Sequence, residues 1–129
     1  MVTRYLIDSS AISQYLEARM PESGLQFMDN VFAIESNLSV ITQIELLTWQ
    51  PPETDLAEKI TIYIDDSTVF ELTPAVVAET IRLRRKYRIK TPDAIIAATA
   101  LVNGFQLITD NERDFNNIKG LRVINPNRL

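Results

Sequence analysis

The sequence predicts an α/β fold, a three-layer α/β/α sandwich whose central sheet is mostly parallel. Short strand-like segments alternate with segments of helical periodicity along the chain. One helical segment, residues 94–101, is apolar except for Thr99, so it has almost no polar face and is predicted to be buried. No internal repeat, low-complexity stretch or linker divides the 129 residues, and we therefore expect a single domain over residues 1–129.

The first half of the chain is predicted to begin with a strand and to continue through helices. Turn-forming residues at 20–24 are expected to separate two of the helices. Thr42 is the expected N-cap of a helix that stops at Pro51, because proline cannot donate a backbone hydrogen bond. This start places Glu45 in the first helical turn, at the spacing of a capping box. The predicted elements here are strand 3–7, helix 11–16, helix 25–34, strand 38–41 and the helix after Thr42.

Two helices in the second half are predicted to begin with the same pair of residues, a threonine followed by a proline. Thr73 and Thr91 can each cap a helix through the hydroxyl, and proline suits the first turn. Gly104 supplies a C-terminal stop for the buried helix. The predicted elements are helix 53–64, strand 68–72, helix 75–87, the buried helix that starts at Thr91, strand 105–109 and strand 121–124.

Cysteine and histidine are both absent from the chain. Without cysteine there are no disulfides, thiolate nucleophiles or cysteine-ligated metals, and without histidine there is no imidazole base. Any catalysis must therefore use carboxylates, hydroxyls, Lys, Arg or a bound ion. Hydrophobic residues make up 46% of the chain and charged residues 23%, and no apolar run could cross a bilayer, so we expect a cytoplasmic protein with no membrane partner.

Acidic side chains recur where predicted strands end or helices begin. Asp8 and Asp110 each follow a strand, while Glu45 and Asp93 lie in predicted first turns of helices. Because ligands bind at the carboxyl ends of parallel strands, we expect these residues to converge there. Taken singly, Asp93 is explained as a stabiliser of its helix start and Glu45 as part of a capping box. Taken together, their charges would repel one another, and a ligand set of oxygens alone selects Mg²⁺ or Mn²⁺ as the neutralising ion.

Four motifs carry these acids, and together they extend over nearly the whole chain: residues 7–10 (IDSS), 39–46 (SVITQIEL), 92–98 (PDAIIAA) and 107–115 (LITDNERDF). In order and spacing they resemble the signatures of PIN-domain ribonucleases, and the chain is most similar to the small VapC-type toxins of prokaryotic toxin–antitoxin pairs. The resemblance implies a metal-dependent endoribonuclease acting on RNA, a homodimer and inhibition by a cognate antitoxin. It places Asp8, Glu45 and Asp93 at metal-binding positions.

The fourth acidic position of the family's pattern has two candidates. After the threonine, here Thr109, the pattern admits Asp or Asn two residues on and an acid before a phenylalanine. In this sequence those residues are Asn111 and Asp114. Asp110 falls in a variable slot of the pattern. We favour Asp114 as the fourth acid and keep Asp110 as a possible metal ligand in its place.

These residues suggest a mechanism of phosphodiester hydrolysis. Asp8 and Asp93 are expected to hold the cation directly, and Glu45 with Asp114 to orient or deprotonate the attacking water. Neighbouring hydroxyl and amide groups could hydrogen-bond the carboxylates, although the two hydroxyl residues are as readily explained as turn or cap residues. The expected supporting residues are Ser9, Thr109 and Asn111.

Basic residues concentrate just before Asp93. The net charge of −4 is unfavourable for RNA binding, but phosphate is bound locally, so a basic patch beside the acids can suffice. The alternative is a solvated helix end whose cations complement the helix dipole. Tyr87, within the patch, either stacks on a base or packs against the core. The expected RNA-binding residues are Arg82, Arg84, Arg85, Lys86, Arg88 and Lys90.

Three other functions fit part of the same pattern. A phosphoacceptor domain also places an aspartate at a strand end and binds Mg²⁺, but the expected acidic pair is absent, since Ser9 and Ser10 follow Asp8. An aspartyl-phosphate hydrolase would need a second acid two residues after the nucleophile, where Ser10 stands. A protein-binding module would use this fold for contact with a partner protein and would have no catalytic activity.

Overall fold

The computed structural model describes residues 2–129. Within that range, short strands and α-helices alternate, with 3₁₀ helices at Glu112–Asp114 and Pro126–Arg128. The strands are β1 (Tyr5–Ile7), β2 (Asn37–Ser39), β3 (Thr68–Phe70), β4 (Gln106–Ile108) and β5 (Val123–Ile124). The helices are α1 (Ser9–Leu16), α2 (Glu22–Phe32), α3 (Val40–Thr48), α4 (Thr54–Asp65), α5 (Pro74–Lys86) and α6 (Thr91–Asn103).

All strand pairs in the described part of the chain are parallel. One sheet has the order β1-β4-β5, with Ile108 opposite Ile7 on one side and Ile124 on the other. The second sheet pairs β2 with β3. The two sheets lie side by side at β1 and β2, where Asn37 Nδ2 donates to the carbonyl of Tyr5 at 3.0 Å. The predicted parallel sheet is confirmed.

Alternate residues of the central strands face different hydrophobic cores, because successive side chains of a strand point to opposite faces. Leu6 and Leu107 pack with α5 and α6, whereas Ile7 and Ile108 pack with α1, α2 and α4. Helices therefore cover both faces, as a three-layer α/β/α fold requires. In α6, the seven residues 94–100 are all buried, which confirms the predicted interior helix.

Two predicted helix caps are wrong. Ser39, not Thr42, is the N-cap of α3, and its hydroxyl accepts hydrogen bonds from the N–H groups of Ile41 and Thr42. The helix thus begins at Val40, and Glu45 lies in its second turn, beyond the reach of a capping box. The helix starts earlier because Ser39 ends a strand with its hydroxyl free to turn back onto the chain. Thr42 lies fully buried inside α3.

The second wrong cap is Thr91. This residue is already helical, and Lys90 is the N-cap of α6 without a side-chain cap bond. Thr73 does cap α5, since its Oγ1 accepts from the N–H of Val76 at 3.3 Å. Gly104 ends α6 in the left-handed conformation, with φ of 70°, as predicted for a helix stop.

The turn predicted at residues 20–24 is shorter than expected, because α2 already begins at Glu22. Gly24 therefore lies inside a helix, where glycine is usually unfavourable. A Cβ at this position would overlap the carbonyl oxygen of Pro126. The glycine thus serves close packing between α2 and the C-terminal segment. Within residues 2–129, no helix combines the length and apolar character that crossing a membrane requires.

Candidate active site

Asp8 lies just beyond β1 and forms the N-cap of α1. Its Oδ1 accepts a hydrogen bond from the N–H of Ser9 at 2.9 Å. Its Oδ2 accepts from Thr109 Oγ1 at 2.8 Å, with a weaker contact from Ser10 Oγ at 3.5 Å. Thr109 follows β4, the parallel neighbour of β1, so strand pairing brings the two residues together. The result is a carboxylate that is only 7% exposed and hydrogen-bonded at both oxygens.

Two helices bring further carboxylates towards Asp8. Asp93 lies half-buried in the first turn of α6. Glu45 projects from the second turn of α3 and is exposed. Its Oε1 accepts from Ser9 Oγ at 3.3 Å. Ser9 therefore links the two acids, since its N–H binds Asp8 and its hydroxyl binds Glu45.

The segment after β4 supplies the fourth carboxylate. Asp114 is the last residue of the first 3₁₀ helix, and its Oδ2 accepts from Asn111 Nδ2 at 2.6 Å. The N–H of Asn111 donates to Thr109 Oγ1 at 2.9 Å. Thr109 in turn donates to Asp8, so a continuous chain of hydrogen bonds runs from Asp8 to Asp114.

The pKa shifts show that these four side chains share one electrostatic environment. Burial raises the pKa of Asp8, and repulsion from Asp114 adds to it, against the hydrogen bonds from Thr109 and its neighbours. Partial desolvation also raises the pKa of Glu45, and Asp8 and Asp93 raise it further. The pKa of Asp93 is raised by desolvation, then by Asp114 and Asp8, with Lys90 acting in the opposite direction. Neighbouring carboxylates thus make it harder for Asp8, Glu45 and Asp93 to ionise.

Asp110 has different surroundings. Its Oδ2 accepts from Gln14 Nε2 at 2.8 Å, and its Oδ1 accepts from Asn127 Nδ2 at 3.0 Å and Asn125 Nδ2 at 3.2 Å. Its own N–H donates to Ser10 Oγ. Side-chain amides thus surround this carboxylate and join the segment after β4 to α1 and to the C-terminal 3₁₀ helix.

The donor set fits a hard divalent cation better than any other metal. It consists of carboxylate oxygens whose mutual repulsion a cation would relieve. Within residues 2–129, no three acidic side chains are placed so that together they could hold a metal ion. An incomplete cage is compatible with Mg²⁺, which usually keeps several waters and takes one or two carboxylates. Asp8 and Asp93 are the residues that would hold it, with Glu45 and Asp114 beside them.

The six basic residues predicted to bind RNA differ in their surroundings, and several have partners within the protein. Arg82 makes a bidentate ion pair with Glu79 at 2.7 and 2.6 Å. Arg84 Nη1 donates to the carbonyl of Ile89 at 3.1 Å. Arg85 is exposed on the last turn of α5.

Tyr87 and its neighbour are also engaged. The Lys86 ammonium lies 5.5 Å from the centre of the Tyr87 ring. The Tyr87 hydroxyl accepts from the N–H of Lys119 at 3.0 Å, and the ring packs against the core around α6. These contacts favour packing over base stacking for Tyr87.

The other two basic residues of the run, Arg88 and Lys90, line a polar cleft directly beside the acidic cluster. Two residues that the sequence interpretation did not single out line it as well, Arg113 and Asn117. The full lining is Arg88, Ile89, Lys90, Asp93, Arg113, Asp114 and Asn117.

Ser10 is another residue that the sequence interpretation left out, although it contacts Asp8, Thr109 and Asp110. Its signal was present: a hydroxyl two residues after an N-cap aspartate is well placed to turn back onto it. Arg113 had a weaker signal, its place between the acids at 110 and 114. Neither residue could be assigned before the segment after β4 was seen to fold back over the site.

The hydrogen bonding of Asp8 bears on the phosphoacceptor alternative. A nucleophilic carboxylate must present a free oxygen to the incoming phosphoryl group. Both oxygens of Asp8 are hydrogen-bonded within the protein, and the side chain is buried. These bonds leave lone pairs free for a metal ion as well as for attack, so the absence of a second acid at Ser9 and Ser10 remains the argument against a phosphoacceptor.

A protein-family model and a ribonuclease match the sequence. The PIN-domain model matches residues 5–121. Ribonuclease VapC1 of Rickettsia felis is 44% identical over 41 residues, which are 32% of this chain. The matched part is 31% of that protein, so the chain matches about a third of its length.

Solved structures of low sequence identity have the same fold as this chain. VapBC2 from Rickettsia felis, bound to a DNA fragment from their promoter, matches with a TM-score of 0.79 at 17% identity, over 95% of this chain and 98% of that one. DNA-bound VapBC from Salmonella typhimurium matches with a TM-score of 0.75 at 20% identity, over 97% and 99%. Together with the family model, which covers nearly the whole sequence, these matches show that the chain belongs to the PIN-domain family.

Proposed function

We propose that the protein is a Mg²⁺- or Mn²⁺-dependent endoribonuclease and the toxin of a toxin–antitoxin pair. The observation that carries this proposal is the hydrogen-bond network at the carboxyl ends of β1 and β4, which links Asp8 to Glu45 and to Asp114, with Asp93 beside Asp114 in the adjoining cleft. Membership of the PIN-domain family and the likeness to a protein named as a ribonuclease support it.

In this mechanism, Asp8 and Asp93 hold the divalent cation, whose chemical contribution is to stabilise negative charge on the scissile phosphate. Glu45 and Asp114 orient the attacking water, and a carboxylate oxygen of one of them accepts its proton. The raised pKa of Glu45 suits this work, since a base is most effective when its pKa lies nearer the working pH.

Neighbouring side chains fix the carboxylates in place. Ser9 joins Asp8 to Glu45, and Thr109 with Asn111 joins Asp8 to Asp114. Because Asp8, Glu45 and Asp114 are fixed by hydrogen bonds from the protein, little reorganisation of these three is needed when charge develops on the phosphate.

We also propose a cognate antitoxin and a second copy of this chain as protein partners. The solved structures named above are of VapBC complexes. The protein described here also exposes several large apolar side chains on its helices. Such exposure, when contiguous, marks interaction surfaces in soluble proteins. On α3 and α4 the exposed residues are Ile44, Leu47 and Ile62, and on α5 they are Val77 and Ile81.

The test is incubation of the purified protein with total RNA in Mg²⁺, in Mn²⁺ or in EDTA, followed by mapping of the cut sites. Cleavage in either metal and none in EDTA is expected, and Asp8→Asn and Asp93→Asn should abolish it. Glu45→Gln is compared with Glu58→Gln, an exposed glutamate on α4 that should change nothing. Cleavage by the Asp8 and Asp93 variants at the wild-type rate would refute the assignment.

The remaining alternatives predict different results in the same preparation. Transfer of a phosphoryl group from an acyl phosphate to the protein, giving an acid-stable phosphorylated product, would support a phosphoacceptor or an aspartyl-phosphate enzyme. Partner binding that needs no metal, with no cleavage of any RNA, would support a binding module.

A further inference from the structure

A polar cleft of about 220 Å³ lies against the acidic cluster, between the end of α5, the start of α6 and the segment after β4. Asp93 and Asp114 form its wall on the side of the cluster. Arg88, Lys90 and Arg113 bring three positive charges to it, against the two carboxylates. The cleft is therefore the place where cations lie closest to the proposed reaction centre.

The cations of this cleft differ from Arg82 and Arg84 in their contacts with the rest of the protein. Within residues 2–129, no ion pair involves Arg88, Lys90 or Arg113. By contrast, Arg82 is paired with Glu79, and Arg84 is bonded to a backbone carbonyl. Three cations against two carboxylates leave the cleft with a net positive charge, which an anion would neutralise.

Size and polarity restrict the anion. Pockets that enclose whole drug-sized ligands usually measure roughly 300–1,000 Å³, so this cleft suits one phosphate group rather than a nucleotide with its base. Its apolar lining is limited to Ile89, and no aromatic ring lines it, which leaves no platform for base stacking. The lining instead offers two guanidinium forks, an ammonium and the Asn117 amide, all of which can donate to phosphate oxygens.

We propose that this cleft binds the phosphate next to the one that is cut, so that the protein engages two consecutive phosphates of an RNA strand. The inference rests on the proposed nuclease function and specifies how its substrate is bound. Arg113 has a second effect, because it lies on the same 3₁₀ helix as Asp114. A phosphate held by Arg113 fixes the position of the Asp114 carboxylate as well.

Binding is measured first without catalysis, by anisotropy of a short fluorescein-labelled oligoribonucleotide in EDTA. Arg113→Gln and Lys90→Gln should each weaken binding about five- to tenfold at low salt. The slope of log affinity against log salt should fall by about 0.7 for each phosphate that a variant no longer neutralises. Arg122→Gln, an exposed arginine at the opposite end of the strands, is the matched control and should leave both quantities unchanged.

Arg113→Lys keeps the positive charge but removes the planar guanidinium group. This variant should therefore retain the wild-type salt slope but only part of the affinity. Equal binding by wild type, Arg113→Gln and Lys90→Gln, with equal salt slopes, would overturn the proposal. Circular dichroism spectra and melting temperatures of the variants establish that each is folded. This arm does not depend on cleavage, so it tests the cleft even if the protein cuts no RNA.

Cleavage gives the second arm. A dinucleotide with a single phosphodiester is compared with the same dinucleotide carrying an added terminal phosphate, at the 5′ end or at the 3′ end. One of the two phosphorylated forms should have a KM about tenfold lower at similar kcat, and Arg113→Gln should remove that advantage. Cleavage of all three substrates with one KM would refute the cleft, whereas the nuclease function is refuted separately, by failure to cleave total RNA in either metal.

Discussion

The hydroxyl of Thr109 donates a 2.8 Å hydrogen bond to Asp8 although 101 positions separate the two residues in the chain. The same hydroxyl oxygen accepts from the N–H of Asn111, which in turn binds Asp114 through its side chain. One buried hydroxyl thus determines the relative positions of two carboxylates of the acidic cluster.

We expect Thr109→Val, which keeps the shape and removes the hydroxyl, to lower the free energy of unfolding by about 1–3 kcal/mol. The reason is that a buried carboxylate loses a donor and a backbone N–H loses its acceptor. RNA cleavage should fall as well, because Asp114 is no longer tied to Asp8. Urea unfolding and cleavage rates measure the two effects, and Thr109→Ser should restore both. Stability equal to wild type in Thr109→Val would contradict this account.

Stability in EDTA should decrease as pH rises from the ordinary carboxyl pKa through the raised pKa values of Asp8, Glu45 and Asp93. In that range the folded protein binds more protons than the unfolded chain, so deprotonation favours unfolding. Asp8→Asn removes the most buried of these charges. Its melting temperature should exceed that of wild type near neutral pH, and the difference should shrink on acidification. A constant difference at all pH values would exclude Asp8 as its source.

Asp114 and Asp110 should respond differently to the same substitution. Asp114→Asn should reduce cleavage by on the order of 10²-fold or more, because this carboxylate acts in the cluster. Asp110→Asn places an amide group against the donors of Gln14, Asn125 and Asn127, and it should lower stability by about 1 kcal/mol while most cleavage remains. Denaturation and single-turnover cleavage distinguish the two. Loss of cleavage in Asp110→Asn with unchanged stability would reverse the assignment.

The start of α3 offers a paired test of helix capping. Ser39→Ala should lower stability by about 1 kcal/mol, because the N–H groups of Ile41 and Thr42 lose their acceptor. Within residues 2–129, the Thr42 hydroxyl is buried without a hydrogen-bond partner. Thr42→Val should therefore be neutral or stabilising. Thermal unfolding measures both, and a larger loss for Thr42→Val than for Ser39→Ala would mean that the cap is misassigned.

Gly24→Ala should destabilise the protein by about 1–3 kcal/mol, even though alanine is the better helix former. The added methyl group would overlap the Pro126 carbonyl, and one of the two segments would have to move. Gln26→Ala, at an exposed position of the same helix, is the control and should cost little. A more stable Gly24→Ala protein would show that the C-terminal segment yields easily.

Much of the fold was predictable because it depends on local periodicity. The apolar run of α6 and the glycine at its end predicted a buried helix with a defined stop, and the positions of Asp8 and Asp110 directly after predicted strands placed them at one edge of a parallel sheet. The order of the four motifs predicted the PIN-domain family, which the family model confirms.

The features of the fold and the site that the sequence did not predict depend on how the chain packs in three dimensions. Thr42 and Thr91 have the cap-forming side chain, but each lies after the true start of its helix, since the preceding chain already turns. The sequence could not separate Arg88 and Lys90 from Arg82 and the rest of the basic run. Only the structure shows that Arg82 and Arg84 have internal partners, which distinguishes these two residues from Arg88 and Lys90.

The enclosure of α6 divides the protein into a part that tolerates little variation and a part that is free to vary. Residues 94–100 have no space for larger side chains, so the helix that presents Asp93 is set by core packing. The two segments that flank the same carboxylate, at 88–90 and 111–117, lie largely at the surface. If the proposed nuclease function holds, engineering of target preference is best directed at the exposed positions of those two segments other than Asn111 and Asp114, which belong to the carboxylate network.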